Sequence, residues 1–245
     1  MAAPALVALA HGSRDPRSKA TITALVDEVR KLRPDLRIET AFLDLAKPTL
    51  NTVVDKLARA HFEEVVVVPL LLTDAHHAKV DVPAAVAEAD ARHEGIQVRA
   101  TSILGLEACF LEVLDVRMRE ALKDARVREL DALVLAAAGS SDALANQSVA
   151  RLARLWGSHH KLPVSAAFAS AAPPATGEAV RAFRKEGRRH IAVASLFLAP
   201  GFLPDRAKEL AIEAGAVAEP LGVHEAVART ILARYAVGAV ELVPV

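Results

Sequence analysis

A chain of 245 residues, 53% hydrophobic and 24% charged, has a globular composition and enough length for one large core or two small ones. Its 30 basic and 30 acidic side chains cancel, leaving no basic excess to neutralise phosphates, which argues against nucleic acid as a partner. The single cysteine, Cys109, excludes an intrachain disulfide and a cysteine-only metal cage and fits a reducing cytoplasm, and no apolar run is long enough to span a bilayer.

The opening stretch Met1–Ala10 is apolar and alanine-rich but lacks a basic n-region, and it reads as a strand rather than a signal peptide. In chain order the pattern predicts a strand over Ala5–Leu9, a loop over His11–Arg17 and a helix over Ser18–Leu32. Ile22, Leu25, Val26, Val29 and Leu32 line one face of that helix. A second strand is expected over Arg37–Leu43, then a helix over Pro48–Ala60 opened by its proline. Glu64–Leu72 carries four consecutive valines, the mark of a strand buried on both faces. A helix over Pro83–His93, a strand over Ile96–Ile103 and a helix over Leu106–Leu122 follow. Four strand–helix units in succession predict an α/β fold with a parallel sheet covered by helices.

The second half repeats the first. Gly12-Ser13 recurs as Gly139-Ser140 at an offset of 127, and Ala41-Phe42 with Pro48 as Ala167-Phe168 with Pro174 at 126. Val67–Leu72 matches Val193–Leu198 at the same offset, and Leu104-Gly105 matches Leu221-Gly222 after a shorter link. Ordered anchors at near-constant spacing imply two tandem βα domains, each with a four-stranded parallel sheet, divided as residues 1–125 and 126–245 and joined by the charged stretch Lys123–Asp131.

The copies differ in chemistry. His11 stands opposite Ala138, His77 opposite Leu203, His76 opposite Phe202, Asp44 opposite Ser170 and Lys79 opposite Asp205. Imidazoles therefore follow the first and third strands of the first copy alone, at the strand ends where open parallel sheets bind ligands. A lone histidine at such an end is ordinarily a structural loop residue, but two in one copy point to a shared site. His61, His93, His190 and His224 read as solvated or structural, and His159-His160, after Gly157-Ser158, as a loop pair without a metal-binding role. Cys109 reads as a small buried hydrophobe on a helix face.

His11-Gly12-Ser13-Arg14-Asp15-Pro16 after a short apolar strand resembles the opening motif of the class II chelatases of the CbiX/SirB type. Pro69–Pro83, with His77 four residues before Asp81, resembles their second motif, and Phe42–Pro48 the segment between. The resemblance spans most of residues 4–110, and the second half is similar to the degenerate copy of the longer members. It implies a lyase that inserts Fe²⁺ or Co²⁺ into sirohydrochlorin, for siroheme or cobalamin, with the metal (Fe²⁺, Co²⁺ or Ni²⁺) as substrate and no tightly bound cofactor. It assigns His11 and His77 as catalytic and metal-holding residues. Ser13, Arg14, Lys47, Leu72, Thr73, Asp74, Ala75, His76 and Lys79 are implied as substrate contacts. The sequence departs from the pattern twice: Ala75 stands where many members have glycine, and Lys47 where many have a carboxylate, a role for which the neighbouring Asp44 is a candidate. Iron is favoured over cobalt because the chain has no histidine-rich tail or cysteine cluster.

That chemistry suits imidazole. Metal insertion removes two pyrrole protons and strips the ion's water, and neutral histidine both ligates Fe²⁺ or Co²⁺ and accepts a proton near neutrality. Two protein ligands hold an ion without trapping it. The resemblance implies a cleft between the two copies that clamps the ring, with Arg14, Arg17, Lys19, Lys79 and the first backbone amides of helix 1 as partners for its carboxylates, and Ser13 as an N-cap or a contact. A duplicated chain is expected to work as a cytoplasmic monomer, without membrane or nucleic acid. The competing reading is a carrier that binds tetrapyrrole or metal without turnover. A nucleotide binder is disfavoured, since neither a Walker motif nor Gly-x-Gly-x-x-Gly occurs after the first strand.

Overall fold

The computed structural model describes residues 3–74 and 76–241, the side chains of His77 and Glu241 excepted. The chain runs β1 (Ala5–Ala10), α1 (Pro16–Leu32), β2 (Ile38–Phe42), α2 (Leu50–Arg59), β3 (Glu64–Pro69), a π-helical turn (His77–Asp81), α3 (Val82–Ala91), β4 (Gln97–Ala100) and α4 (Cys109–Asp124). It then runs β5 (Ala132–Ala137), α5 (Ala143–His160), β6 (Val164–Phe168), α6 (Thr176–Lys185), β7 (Ile191–Ser195), α7 (Phe202–Leu210), β8 (Ala216–Val217) and α8 (Glu225–Glu241). The expected α/β architecture is present: two four-stranded, all-parallel sheets, ordered β2-β1-β3-β4 and β6-β5-β7-β8.

In the first sheet all six residues of β1 and Val65 to Val68 of β3 are buried, so helices must cover both faces. Alternation sorts them. Ala5, Val7, Leu9, Val65 and Val67 pack with Leu50, Val53, Val54 and Leu57 of α2 and with Val82 and Ala89 of α3. Burying each such leucine contributes about 2 kcal/mol. On the other face α8 packs against α1 and β3. Its approach is close at Gly238, where a Cβ would lie 2.6 Å from Thr101 Cγ2 and 2.9 Å from Val66 Cγ1.

That placement of α8 corrects the expected division at 125/126. The first compact unit comprises the residues up to Gly105 together with those from Val223 onward, and the second is Leu106–Gly222. Helix α4, expected to close the first domain, instead packs on β7 and β8, and the first unit takes its fourth helix from the chain's last elements. The stretch Lys123–Asp131 consequently lies inside the second unit rather than joining two domains. Equivalent arginines fasten the exchanged helices. Arg234 of α8 donates to the carbonyls of Ile103 (2.9 Å) and Leu104 (3.0 Å), and Arg117 of α4 donates twice to the carbonyl of Leu221 (3.2 and 2.9 Å). Leu104 and Leu221 are the matched anchors read from the sequence, so each fourth helix caps the same point of its own sheet.

Several boundaries shift. Helix α1 starts at Pro16 rather than Ser18, because Asp15, not Ser13, is its N-cap and accepts the Arg17 amide at 2.9 Å. Pro48 stays outside α2, which Thr49 caps, and follows a cis peptide bond matched by Pro173-Pro174. Strand β4 ends at Ala100, where β3's pairing with it ends. His159 and His160, expected in a loop, occupy the last turn of α5, which continues until Lys161 turns left-handed at φ 56°.

Candidate active site

In the first sheet β1 sits between β2 and β3, so the chain leaves β1 toward one side, returns, and continues on the other. Such a reversal is where open parallel sheets bind ligands, outside the carboxyl ends of their strands, here β1 and β3. Register pairs Leu9 with Pro69. The segment after β1 carries His11 to Arg14, that after β2 carries Asp44 and Lys47, and that after β3 carries Leu72 to His77. The topology thus gathers all three predicted segments at one end of one sheet.

Backbone hydrogen bonds fix the first two segments to each other. Leu43 N–H donates to Ala10 O at 2.9 Å and Asp44 N–H to His11 O at 3.0 Å, while Leu70 N–H donates to Leu9 O at 2.8 Å on the other side. Gly12 makes this approach possible. Its φ is +97°, and a Cβ there would overlap the Asp44 carbonyl oxygen. His11 is half-buried with Nδ1 fully enclosed, which leaves Nε2 as the nitrogen to present to a ligand.

The remaining candidates divide. Ser13 is turned inward, its Oγ accepting the Asp15 amide at 3.0 Å. Arg17 forks onto the Asp15 carboxylate through Nε and Nη2. These hydrogen bonds, side chain first and backbone second, hold the Asp15 carboxyl below its ordinary range. This pair bears on two sequence expectations: Arg17, in the first turn of α1, is already paired with Asp15, and its amide already meets a carboxylate belonging to the chain itself. Arg14, Lys19 and Lys47 are exposed and make no ion pair among the described residues. Lys79 is exposed on the π-helical turn. Asp44 lies beyond the end of β2, exposed, with Oδ1 accepting the Leu45 amide at 2.7 Å. Leu72 and Thr73 are half-buried, and Asp74 and His76 are exposed. Ala75 and the His77 side chain lie outside the described residues; the backbone of His77 opens the π-helical turn.

That turn is a feature the sequence reading missed. Leu203, the counterpart of His77, lies in the regular helix α7. Single π turns insert one extra residue and commonly sit at functional sites. No motif announces it here, since periodicity cannot distinguish one wide turn over five residues.

Three further histidines, His93, His190 and His224, take structural partners, in line with the sequence expectation. His93 Nε2 meets Asp55 at 2.7 Å, His190 Nε2 meets Glu129 at 3.2 Å, and His224 Nδ1 accepts the Ala226 amide at the start of α8. In the second sheet the site positions hold Ala138, Ser170 and Leu203, and Gly139 repeats Gly12, with φ +85° and a Cβ that would overlap Ser170 O.

The CbiX family model matches residues 5–121 and 132–237 of the chain. A sirohydrochlorin cobaltochelatase of Priestia megaterium is 27% identical over 206 residues, 82% of this chain and 66% of the relative. A sirohydrochlorin ferrochelatase of the same organism is 27% identical over 207 residues, 84% of this chain and 77% of the relative. Among solved structures, the sirohydrochlorin chelatase SirB from Bacillus subtilis subspecies spizizenii, in complex with cobalt, superposes with a TM-score of 0.78 at 22% identity, covering 98% of this chain and 97% of the other. At that identity the superposition shows the shared fold. The chain spans just under two thirds of the first relative's length.

Proposed function

The chain belongs to the CbiX family, and from that premise we propose that it is a lyase that inserts a divalent metal ion, Fe²⁺ or Co²⁺, into sirohydrochlorin for siroheme or cobalamin. The observation that carries the reading is local. Histidine-bearing segments leave the adjacent strands β1 and β3 at the sheet's reversal point in the first repeat, while the second repeat keeps the same backbone without the imidazoles. The curated relatives quoted above act on sirohydrochlorin, one with cobalt and one with iron.

In this mechanism His11, through Nε2, and His77 hold the incoming ion with coordination positions left for water and then for pyrrole nitrogen. As the ion passes to the ring each imidazole recovers its lone pair, and the two can then take up the two displaced pyrrole protons, work that suits neutral imidazole. Ser13 and the turn from Leu72 to His76 line the ring, and the exposed Arg14, Lys47 and Lys79 meet its peripheral carboxylates. Two protons leave as one divalent ion enters, so the ring's charge is unchanged and no redox partner is required. We place this reaction in the cytoplasm and in a monomer, with the metal as substrate rather than resident cofactor.

Metallation of sirohydrochlorin, followed by ring absorbance with Fe²⁺, Co²⁺ and Ni²⁺ in parallel, tests the proposal. Multiple turnovers faster than the spontaneous reaction are expected with iron or cobalt. A stoichiometric spectral shift without turnover would make the chain a carrier instead.

A further inference from the structure

The exchanged helix α4 brings Asp115 against the last turn of α5, and together they assemble a group of side chains that the chemistry above does not use. Asp115, His159 and His160 each offer one ligand atom, and these atoms lie within 4.8 Å of one another. Among the described residues no other trio of histidine, cysteine and carboxylate side chains converges in this way. We propose that Asp115, His159 and His160 form a second site for a divalent transition-metal ion, held within the second compact unit and independent of tetrapyrrole.

The geometry suits one ion. His160 Nε2 and Asp115 Oδ1 are 2.7 Å apart, a hydrogen-bond distance that has to open only by roughly half an ångström for both atoms to reach one ion with bonds of about 2.0–2.1 Å. For an ion to take the place of the proton that links them, a neutral His160 shifts that proton to Nδ1, and a protonated one releases it to solvent, freeing the Nε2 lone pair. Both histidines are exposed and lie at the free end of a helix, so their rings can close on an ion without moving the backbone. Their centroids are 4.9 Å apart. The carboxylate is oriented from behind: the fully buried Trp156 donates its indole N–H to Asp115 Oδ1 at 2.8 Å, the kind of outer hydrogen bond that fixes a ligating carboxylate. Arg119 on α4 donates Nε to the backbone carbonyl of Asp115 rather than to its carboxylate, which leaves that negative charge for the ion.

Two histidines and one carboxylate favour Co²⁺, Ni²⁺, Zn²⁺ or Fe²⁺ over Mg²⁺ or Ca²⁺, and three protein ligands leave positions open. A cavity of about 390 Å³ bordered by His160, Trp156, Met118 and Leu122 gives those positions room for water or a small ligand. The repeat lends independent weight. Leu32 and Arg33 stand where α5 has His159 and His160, and Leu232 stands where α4 has Asp115, so the first unit retains neither ligands nor carboxylate.

Trp156 is the only tryptophan in the chain, and it reports on this site directly. The test titrates Co²⁺ into the full-length double variant His11→Ala/His77→Ala, following Trp156 emission and visible Co²⁺ absorption, with no tetrapyrrole present. The expected result is saturable quenching at one ion per chain, with a Co²⁺ band in the same titration. Both are lost when His159→Gln and His160→Gln are added, a change at exposed positions that leaves the melting temperature within a degree or two. Asp115→Asn, which keeps an acceptor for the indole, weakens binding at least tenfold. Quenching that never saturates, or that survives the histidine replacements, overturns the proposal. Because the assay omits His11 and His77, it stands whether or not those residues bind metal; the wild-type chain takes a second equivalent only if they do.

Discussion

The two repeats share a backbone so closely that their differences isolate chemistry from architecture. Both sheets have the same strand order, both place a positive-φ glycine against the carbonyl that follows the second strand, both carry a cis proline before the second helix, and both fasten an exchanged fourth helix with one arginine. At the proposed site, what separates them is the side chains at the strand ends and one turn of helix. His11 faces Ala138, and the π-helical turn at His77 faces the regular helix α7. On the proposed reading the frame suffices for folding and not for metal insertion, and the second copy serves as a built-in control for the first.

The largest effect is expected where that control is most direct. His11→Ala should lower the metallation rate about a hundred- to ten-thousand-fold, the range for losing a positioned acid–base group. Ala138→His, the reciprocal change, should leave the rate within about twofold, because the second sheet lacks the remaining segments. Equal losses from both substitutions would show that the reaction draws on both strand ends and would break the asymmetry.

A smaller but more revealing pair is Gly12→Ala and Gly139→Ala. Each forces a Cβ into a backbone carbonyl at a positive φ, and each should cost at least about 2 kcal/mol of stability, read from denaturant unfolding. The costs should be similar because the geometry is the same. Activity should not follow stability: Gly12→Ala shifts the segment carrying His11 and should reduce turnover of the folded protein, whereas Gly139→Ala should leave it near wild type at a temperature where both are native.

The sequence exposed the duplication through residues whose identity is dictated by backbone geometry, such as Gly12 and Gly139, and through runs such as Val65 to Val68 that only a doubly covered strand buries. It also singled out the imidazoles, since a histidine opposite an alanine in a repeat is visible without coordinates. The helix exchange was not legible. The apolar face of α4, with Phe110, Val113, Leu114 and Met118, declares that it must cover a sheet but not which one, because both sheets present the same buried aliphatic surface. The Asp115–His160 contact depended on that exchange and was hidden with it. At the start of α1, Ser13 and Asp15 are both good caps by composition, and the choice fell to Asp15 because Pro16 fits the first helical position behind it.

The smallest effect concerns that cap. Hydrogen bonds from Arg17 hold the Asp15 carboxyl below the ordinary carboxylate pKa of about 4. A group with a depressed native pKa contributes stability that is present above its unfolded value and is lost as pH falls through its native value. Asp15→Asn keeps an N-cap acceptor while removing the charge. The variant should therefore unfold at lower urea concentration than wild type at neutral pH, and the gap should close in strong acid as the wild-type carboxyl takes up its proton. The matching change Asp142→Asn sharpens the comparison. Asp142 caps α5 through the Leu144 amide at 2.9 Å, with leucine where the first repeat has Arg17, so a larger gap at Asp15 assigns the excess to the Arg17 guanidinium. A larger gap at Asp142 would mean that the helix terminus, rather than Arg17, sets the value of the charge at both caps.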